Sequence, residues 1–255
     1  SCGFFYWVMS VIPTKFLRFA ELAGFKADRA LGLRWMREVE LAAGSTNKMR
    51  GSYAAIVLLF ANLVVPRGLA DIEESLVEAS HIIDRALQRQ PQGTAWNMMA
   101  SYAARKRGNL AAGLHHCSVA LDGAKSLGRP ASFFQYELGS VYLMQLDWLH
   151  GIQTLEPLLE SEGFRVKGTC SLQVASAYLQ AGNRDKAIEI FKRMPVFIPH
   201  RSSSVDNYVS TMATRYLQNG AHFSAFEMLF MRRDLAKMAS AIDECLRQLE
   251  IAAVN

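Results

Sequence analysis

Proline is scarce in this chain, with seven residues in 255. That leaves room for long helices, because an internal proline removes a hydrogen bond and clashes with the preceding turn. Cysteine is scarcer still. Cys2, Cys117, Cys170 and Cys245 are widely scattered and show no Cys-x-x-Cys pairing. A disulfide framework would be denser and zinc ligands would cluster, so reduced thiols in a cytoplasmic setting fit best. Long apolar runs are missing too: the longest, 4–12 and 53–65, fall short of the roughly 20 residues that a membrane-spanning helix needs. No transmembrane segment is expected. Neither sign of charge dominates, since 28 basic and 23 acidic residues give a net +5. The basic clusters Arg105-Lys106-Arg107, Lys192-Arg193 and Arg232-Arg233 are short and interrupted by apolar residues. They read as solvated helix ends and predict no nucleic-acid partner. The opening stretch lacks a basic n-region and an initiator methionine, and reads as the interior of a longer parent chain and not as a signal peptide.

The signatures of catalysis are equally thin. There is no Gly-rich phosphate loop, no Gly-x-Ser-x-Gly and no His-Glu-x-x-His. His115-His116-Cys117 invites a metal or nucleophile reading, but adjacent helix residues point about 100° apart and cannot share one ion as an i, i+4 pair can. The expected arrangement is a core cysteine beside two surface histidines. His81, His150, His200 and His222 are read as isolated, with no metal-ligand partner expected for any of them. The expectation is a chain with no catalytic residues, no metal and no cofactor.

What the chain has is repetition. Val174-Ala175-x2-Tyr178 is followed by Ala187-x3-Phe191 and, eight residues on, by Pro199. Leu138-Gly139-x2-Tyr142 repeats the opening motif in the preceding unit, and Met212-Ala213-x2-Tyr216 with Ala225-x3-Leu229 repeats both motifs in the following unit. The same offsets reach Ala100-Ser101-x2-Ala104 with Gly113-x3-Cys117, and then Ala79-x3-Ile83-x2-Ala86-x4-Pro91. The small residue opening each second motif recurs after 34 (79 to 113), 38 (113 to 151), 36 (151 to 187) and 38 (187 to 225) residues. This is the helix–turn–helix pattern of the tetratricopeptide unit. Its two helices cross closely, so facing positions must carry little bulk: Ser101, Gly139, Ala175 and Ala213 against Gly113, Gly151, Ala187 and Ala225. Turns are expected at Gly108-Asn109, Leu146-Asp147, Gly182-Asn183 and Asn219-Gly220.

The fold class follows: all-α, an α-solenoid with a right-handed superhelix built of tetratricopeptide-type hairpins. Residues 1–48 are expected to form helices continuing from a longer parent (3–12, 14–23 and 28–43). Residues 49–91 read as a divergent repeat with a buried helix at 49–65 and its partner at 71–90. Residues 92–239 hold four hairpins, at 94–125, 131–161, 167–194 and 204–238. Residues 240–255 would form a capping helix with Ile242, Cys245, Leu246 and Leu249 on one face. Pro157 and Pro195 are expected to kink or shorten their helices.

With these segments in view, the chain resembles the tetratricopeptide repeat protein 39 family, which includes the fungal inclusion body clearance proteins. The resemblance rests on Gly3-Phe4-Phe5, Val11-Ile12-Pro13-x-Lys15, Gly24-Phe25-x2-Asp28-Arg29-x2-Gly32-Leu33, Arg105-x-Arg107-Gly108-Asn109-Leu110 and Tyr136-Glu137-Leu138-Gly139. It implies the C-terminal half of a cytoplasmic adaptor without enzymatic activity, connected with lipid droplets, inclusion clearance and lipid metabolism.

By repeat position, a concave groove should be lined by Met98, Tyr102 and Arg105; Tyr136, Ser140 and Leu143; Leu172, Ser176 and Leu179; and Ser210, Thr214 and Leu217. Such a groove suits a peptide or protein with hydrophobic anchors. The competing expectation is that the terminal helix, or a missing stretch of the parent, fills it. Lys and Asn are absent from the groove positions that clamp a chaperone tail, so such a tail should bind poorly. A different reading makes the chain a peripheral lipid-surface protein, with Phe4, Phe5, Tyr6, Trp7, Val8, Phe16, Leu17 and Phe19 lying in an interface. The plainer alternative packs these aromatics onto the next hairpin.

Overall fold

The computed structural model describes residues 2–12, 16–17, 22, 27–42, 48–65, 72–198, 203–220, 224–232, 238, 243, 246–247 and 249–251. Two compact units divide the chain, residues 1–91 and 92–255. Among the described residues every regular element is a helix, and there is no strand.

The first unit holds α1 (Cys2–Val11), α2 (Arg29–Ala42), α3 (Lys48–Leu63) and α4 (Ile72–Arg89). Each packs on the next. The α1–α2 crossing is backbone against backbone: a Cβ on Gly32 would lie 2.7 Å from the Trp7 amide nitrogen and 2.8 Å from the Gly3 carbonyl oxygen. Only glycine permits that approach. The aromatics of α1 then reach its neighbours, Phe4 onto Tyr53, Tyr6 edge-on to Trp35 and Trp7 edge-on to Phe60. α2 and α4 are tied by two forked ion pairs, Arg37 to Glu78 and Arg85 to the buried Glu40. The helix expected at 14–23 lies almost wholly outside the described residues.

The second unit is a run of hairpins. α5 (Thr94–Lys106) pairs with α6 (Leu110–Ser126), α7 (Ser132–Met144) with α8 (Trp148–Glu160), α9 (Lys167–Gln180) with α10 (Arg184–Phe197), and α11 (Ser204–Asn219) is followed by α12 (Ser224–Met231). α6 also packs on α7, α8 on α9 and α10 on α11, which is the nearest-neighbour stacking of an α-solenoid. In the first two hairpins small residues meet where the repeat predicts. The Ser101 hydroxyl donates to the Gly113 carbonyl at 2.8 Å, and a Cβ on Gly151 would sit 3.9 Å from the Gly139 carbonyl oxygen. Ala175, Ala187, Ala213 and Ala225 are all buried.

The first three hairpin turns share one mechanism. Gly108, Leu146 and Gly182 take positive φ (74°, 59° and 80°). The next residue donates its backbone N–H five positions back: Asn109 to Ala104, Asp147 to Tyr142 and Asn183 to Tyr178. This closes the first helix with a Schellman bond. The same Asn109, Asp147 and Asn183 then cap the following helix through their side-chain oxygens. Leu146 does this without glycine's freedom, at a cost of about 1–2 kcal/mol.

Pro157 and Pro195 shorten nothing by more than a last turn. α8 continues past Pro157 through Leu158, Leu159 and Glu160, and α10 past Pro195 through Val196 and Phe197. Each proline still removes one i→i−4 hydrogen bond and crowds the carbonyl four residues back, and its helix runs on for only three residues after Pro157 and two after Pro195.

Candidate functional site

The first helices of the hairpins, α5, α7, α9 and α11, carry the residues expected to line a groove. Their exposure divides sharply. Met98, Arg105, Tyr136, Ser140, Leu143, Leu172 and Ser176 are buried; Tyr102, Leu179 and Ser210 are half-buried; Thr214 and Leu217 are exposed. Most of the expected lining is therefore interior, which corrects the picture of an open trough over the whole unit.

The physical reason lies in α9 and in the chain beyond α12. Every residue from Cys170 to Ala177 is buried. A helix bordering an open groove keeps one polar face in water, but α9 is packed by α8, α10, α11 and α12 together. Farther on, Arg232 returns to α7: its Nη1 donates to the Tyr136 hydroxyl at 2.7 Å, and its guanidinium carbon stands 5.7 Å from that ring's centroid. Phe164 covers the same ring, with centroids 5.7 Å apart. Burial, opposed by the Arg232 charge, pushes the Tyr136 phenol above its ordinary pKa. Met238 is buried in the same core, and Leu249 packs against it. Arg232 and Phe164 thus cover the ring of Tyr136. Of the face expected to pack, Leu249 does so, Leu246 is 54% exposed, and Ile242 and Cys245 lie outside the described residues.

The Tyr136 carbonyl belongs to a buried polar floor shared by α7 and α9. Gln173 Nε2 donates to the Ser140 hydroxyl at 3.2 Å, and the Ser140 hydroxyl donates to the Tyr136 carbonyl at 2.9 Å. Gln173 Oε1 and the Ser176 hydroxyl are buried with no protein partner. At the other end, Arg105 pairs with Glu137 at 3.0 Å with both side chains largely buried, and its guanidinium lies 4.6 Å from the Tyr102 ring centroid. Burial, and then the Glu137 charge, raise the Tyr102 phenol's pKa. Met98 packs with Cys117 and Leu121 of its own hairpin and with Leu138 of the next.

Periodicity found the first-helix positions but not Glu137, Gln173 or Arg232. Glu137 and Gln173 each stand one place beside a groove position, where the repeat leaves residue type open. The pairing of Arg232 with Tyr136 spans 96 residues, and no local pattern marks it.

The histidine–cysteine cluster resolves into packing. Cys117 is fully buried, and burial pushes its thiol up to about 12, so the thiolate needed for nucleophilic attack is scarce at neutral pH. His115 is exposed. His116 is half-buried and not on the surface as expected, because it turns Nδ1 to the buried Asn97 Oδ1 at 2.9 Å. Burial and the neighbouring His115 lower its pKa. Among the described residues no group of three or more His, Cys, Asp or Glu side chains is gathered for a metal ion, and no helix is long and apolar enough to cross a membrane.

Comparison with known proteins agrees with the repeat. The chain is similar to the tetratricopeptide repeat protein ttc-39B of Caenorhabditis elegans, with 23% identity over 237 residues, which is 89% of this chain and 40% of that protein. The chain thus spans well under half the length of this relative. No solved structure matches it. The description of the Iml2/Tetratricopeptide repeat protein 39 family matches residues 1–254, and with stacked hairpins, paired small residues and glycine-closed turns in place, the chain belongs to that family.

Proposed function

We propose that this chain is a non-enzymatic interaction scaffold that holds a protein or peptide segment on the stretch of the concave face its own C-terminal residues leave accessible. The observation that carries the reading is the pairing of α9 with α11, where Leu179 is half-buried and Thr214 and Leu217 are exposed. Leu217 is apolar and 42% exposed, and the Thr214 hydroxyl is already satisfied by the Ser210 carbonyl at 3.0 Å. Such a surface offers hydrophobic anchoring with little desolvation cost. The stacked-hairpin fold and the family support an adaptor over an enzyme. A cytoplasmic setting at lipid droplets or in inclusion clearance follows the family resemblance and is proposed with it.

The test is an affinity pull-down from cell lysate with the intact chain and with Leu217→Arg and Thr214→Arg, each first shown to keep its helical circular dichroism and Tm. Loss of particular partners in both variants is expected. An unchanged partner spectrum sinks the site.

The lipid-surface alternative draws on the N-terminal aromatics. Trp7 is buried, and Phe4 and Tyr6 pack their rings on Tyr53 and Trp35, while Phe5 and Phe16 remain exposed. This arrangement favours packing over membrane insertion. Flotation of the intact chain with phosphatidylcholine liposomes would reverse that preference.

A further inference from the structure

Beyond the exposed Arg50 in its first turn, the solvent face of α3 (Lys48–Leu63) carries no charged residue. From Gly51 to Leu63 its exposed side chains are Tyr53, Ile56 and Phe60. Met49, four positions before Tyr53, is 83% exposed. At 3.6 residues per turn, Met49, Tyr53, Ile56 and Phe60 fall within an arc of about 60° and form one apolar stripe. Val64 extends it just past the helix end and is also exposed. The opposite side is buried, through Ala54, Ala55, Leu58 and Asn62. A helix buried on one side and apolar over most of its exposed side belongs in an interior, and a unit whose outer face is left to water is polar there in a stable repeat stack.

We propose that this stripe is the docking surface for an amphipathic helix of a longer parent chain, lying outside residues 1–255. Two observations select that occupant. The matched relative devotes only 40% of its length to this region, which leaves ample chain elsewhere. The stripe also continues an interface already begun: α1 touches it from one side through Phe4 on Tyr53 and Trp7 on Phe60, and covers neither ring fully. At its N-terminal end a cavity of about 560 Å³ opens between α2 and α3, lined by Met36, Val39, Met49, Arg50, Tyr53 and Ala54. That volume accepts one or two large apolar side chains from an incoming helix, so the partner should carry hydrophobic residues at i, i+4, i+7 and i+11 spacing.

The experiment compares the 255-residue chain with the parent protein expressed from its own gene, both carrying Cys2→Ser and Ile56→Cys. Maleimide labelling at position 56 is followed by peptide mass spectrometry. At least tenfold slower labelling in the parent is expected. A companion variant, Ile56→Asp, should lower the parent's Tm and leave that of the short chain nearly unchanged. Equal labelling in both proteins overturns the proposal, as does a parent gene that encodes no chain beyond these residues. Protection in the short chain that deepens with its concentration would assign the stripe to a second copy. Protection in both proteins by phosphatidylcholine vesicles would assign it to a lipid surface. Either result overturns the proposal as well.

Discussion

Arg105 of α5 and Glu137 of α7 meet at 3.0 Å with side chains only 8% and 12% exposed, so neighbouring hairpins are joined by an ion pair that water barely reaches. A buried pair adds little net stability over well-packed apolar residues, but removing one member strands a charge. Glu137→Ala is expected to lower unfolding free energy by about 3–5 kcal/mol. The double variant Glu137→Leu with Arg105→Met should recover most of it. Urea denaturation of both measures the difference, and a double variant as unstable as Glu137→Ala contradicts the ion-pair account.

Gly139 and Gly151 supply the second prediction. A Cβ at Gly139 would lie 2.4 Å from Leu155 Cγ, and one at Gly151 2.4 Å from Leu143 Cδ2; both leucines are almost fully buried. Alanine improves helix propensity by about 1 kcal/mol, yet overpacking costs roughly 1–3 kcal/mol. With no room for either leucine to retreat, the clash wins. Gly139→Ala and Gly151→Ala should each lower the Tm, and Leu155→Val should partly rescue Gly139→Ala alone.

The same glycines show how much of this molecule could be read from its sequence. Matched small residues at Ser101/Gly113 and Gly139/Gly151 recur at a fixed period, and the close crossing follows from sterics alone. The Gly3–Gly32 crossing obeys the same rule but occurs once, so no period announces it, although both glycines lie in the segments that carry the family resemblance. The groove is less legible. Whether Tyr136 faces solvent depends on where Arg232 comes to rest, and that is decided by a contact 96 residues away in sequence. Repeat position specifies the direction a side chain takes and says nothing of what later covers it.

The thiols of Cys117 and Cys170 give a pH prediction. Burial, opposed by Arg105 in one case and Arg232 in the other, raises both from about 9 to about 12. A group whose folded pKa lies above its unfolded value contributes fully below the unfolded value. Its contribution is lost as pH rises toward the folded one. Stability should therefore decline between about pH 9 and 12, by up to about 1.4 kcal/mol per pH unit for each thiol. The decline should be shallower in Cys170→Ala. At pH 8, iodoacetamide should modify the exposed Cys2 while Cys117 and Cys170 react only as fast as the protein unfolds.

The last prediction concerns Tyr136 and Arg232. Tyr136→Phe keeps the ring under the guanidinium and removes only the hydroxyl that accepts from Nη1, a change worth about 0.5–1.5 kcal/mol. Tyr136→Ala also removes the cation–π contact and the packing against Phe164, so its effect should be clearly larger. Because these contacts hold Arg232 to α7, their loss should free the adjacent peptide bond for trypsin. Cleavage after Arg232 is expected to accelerate modestly in Tyr136→Phe and several-fold more in Tyr136→Ala, while Tyr208→Phe, a substitution away from Arg232, leaves it unchanged. If cleavage in Tyr136→Ala merely tracks the loss of global stability, measured as equal acceleration after Lys186 and Lys192 within α10, the C-terminal stretch is an ordinary portion of the core. If it outpaces those sites, the stretch opens on its own, and the floor of Ser140, Gln173 and Ser176 becomes reachable from solvent without unfolding the hairpins beneath it.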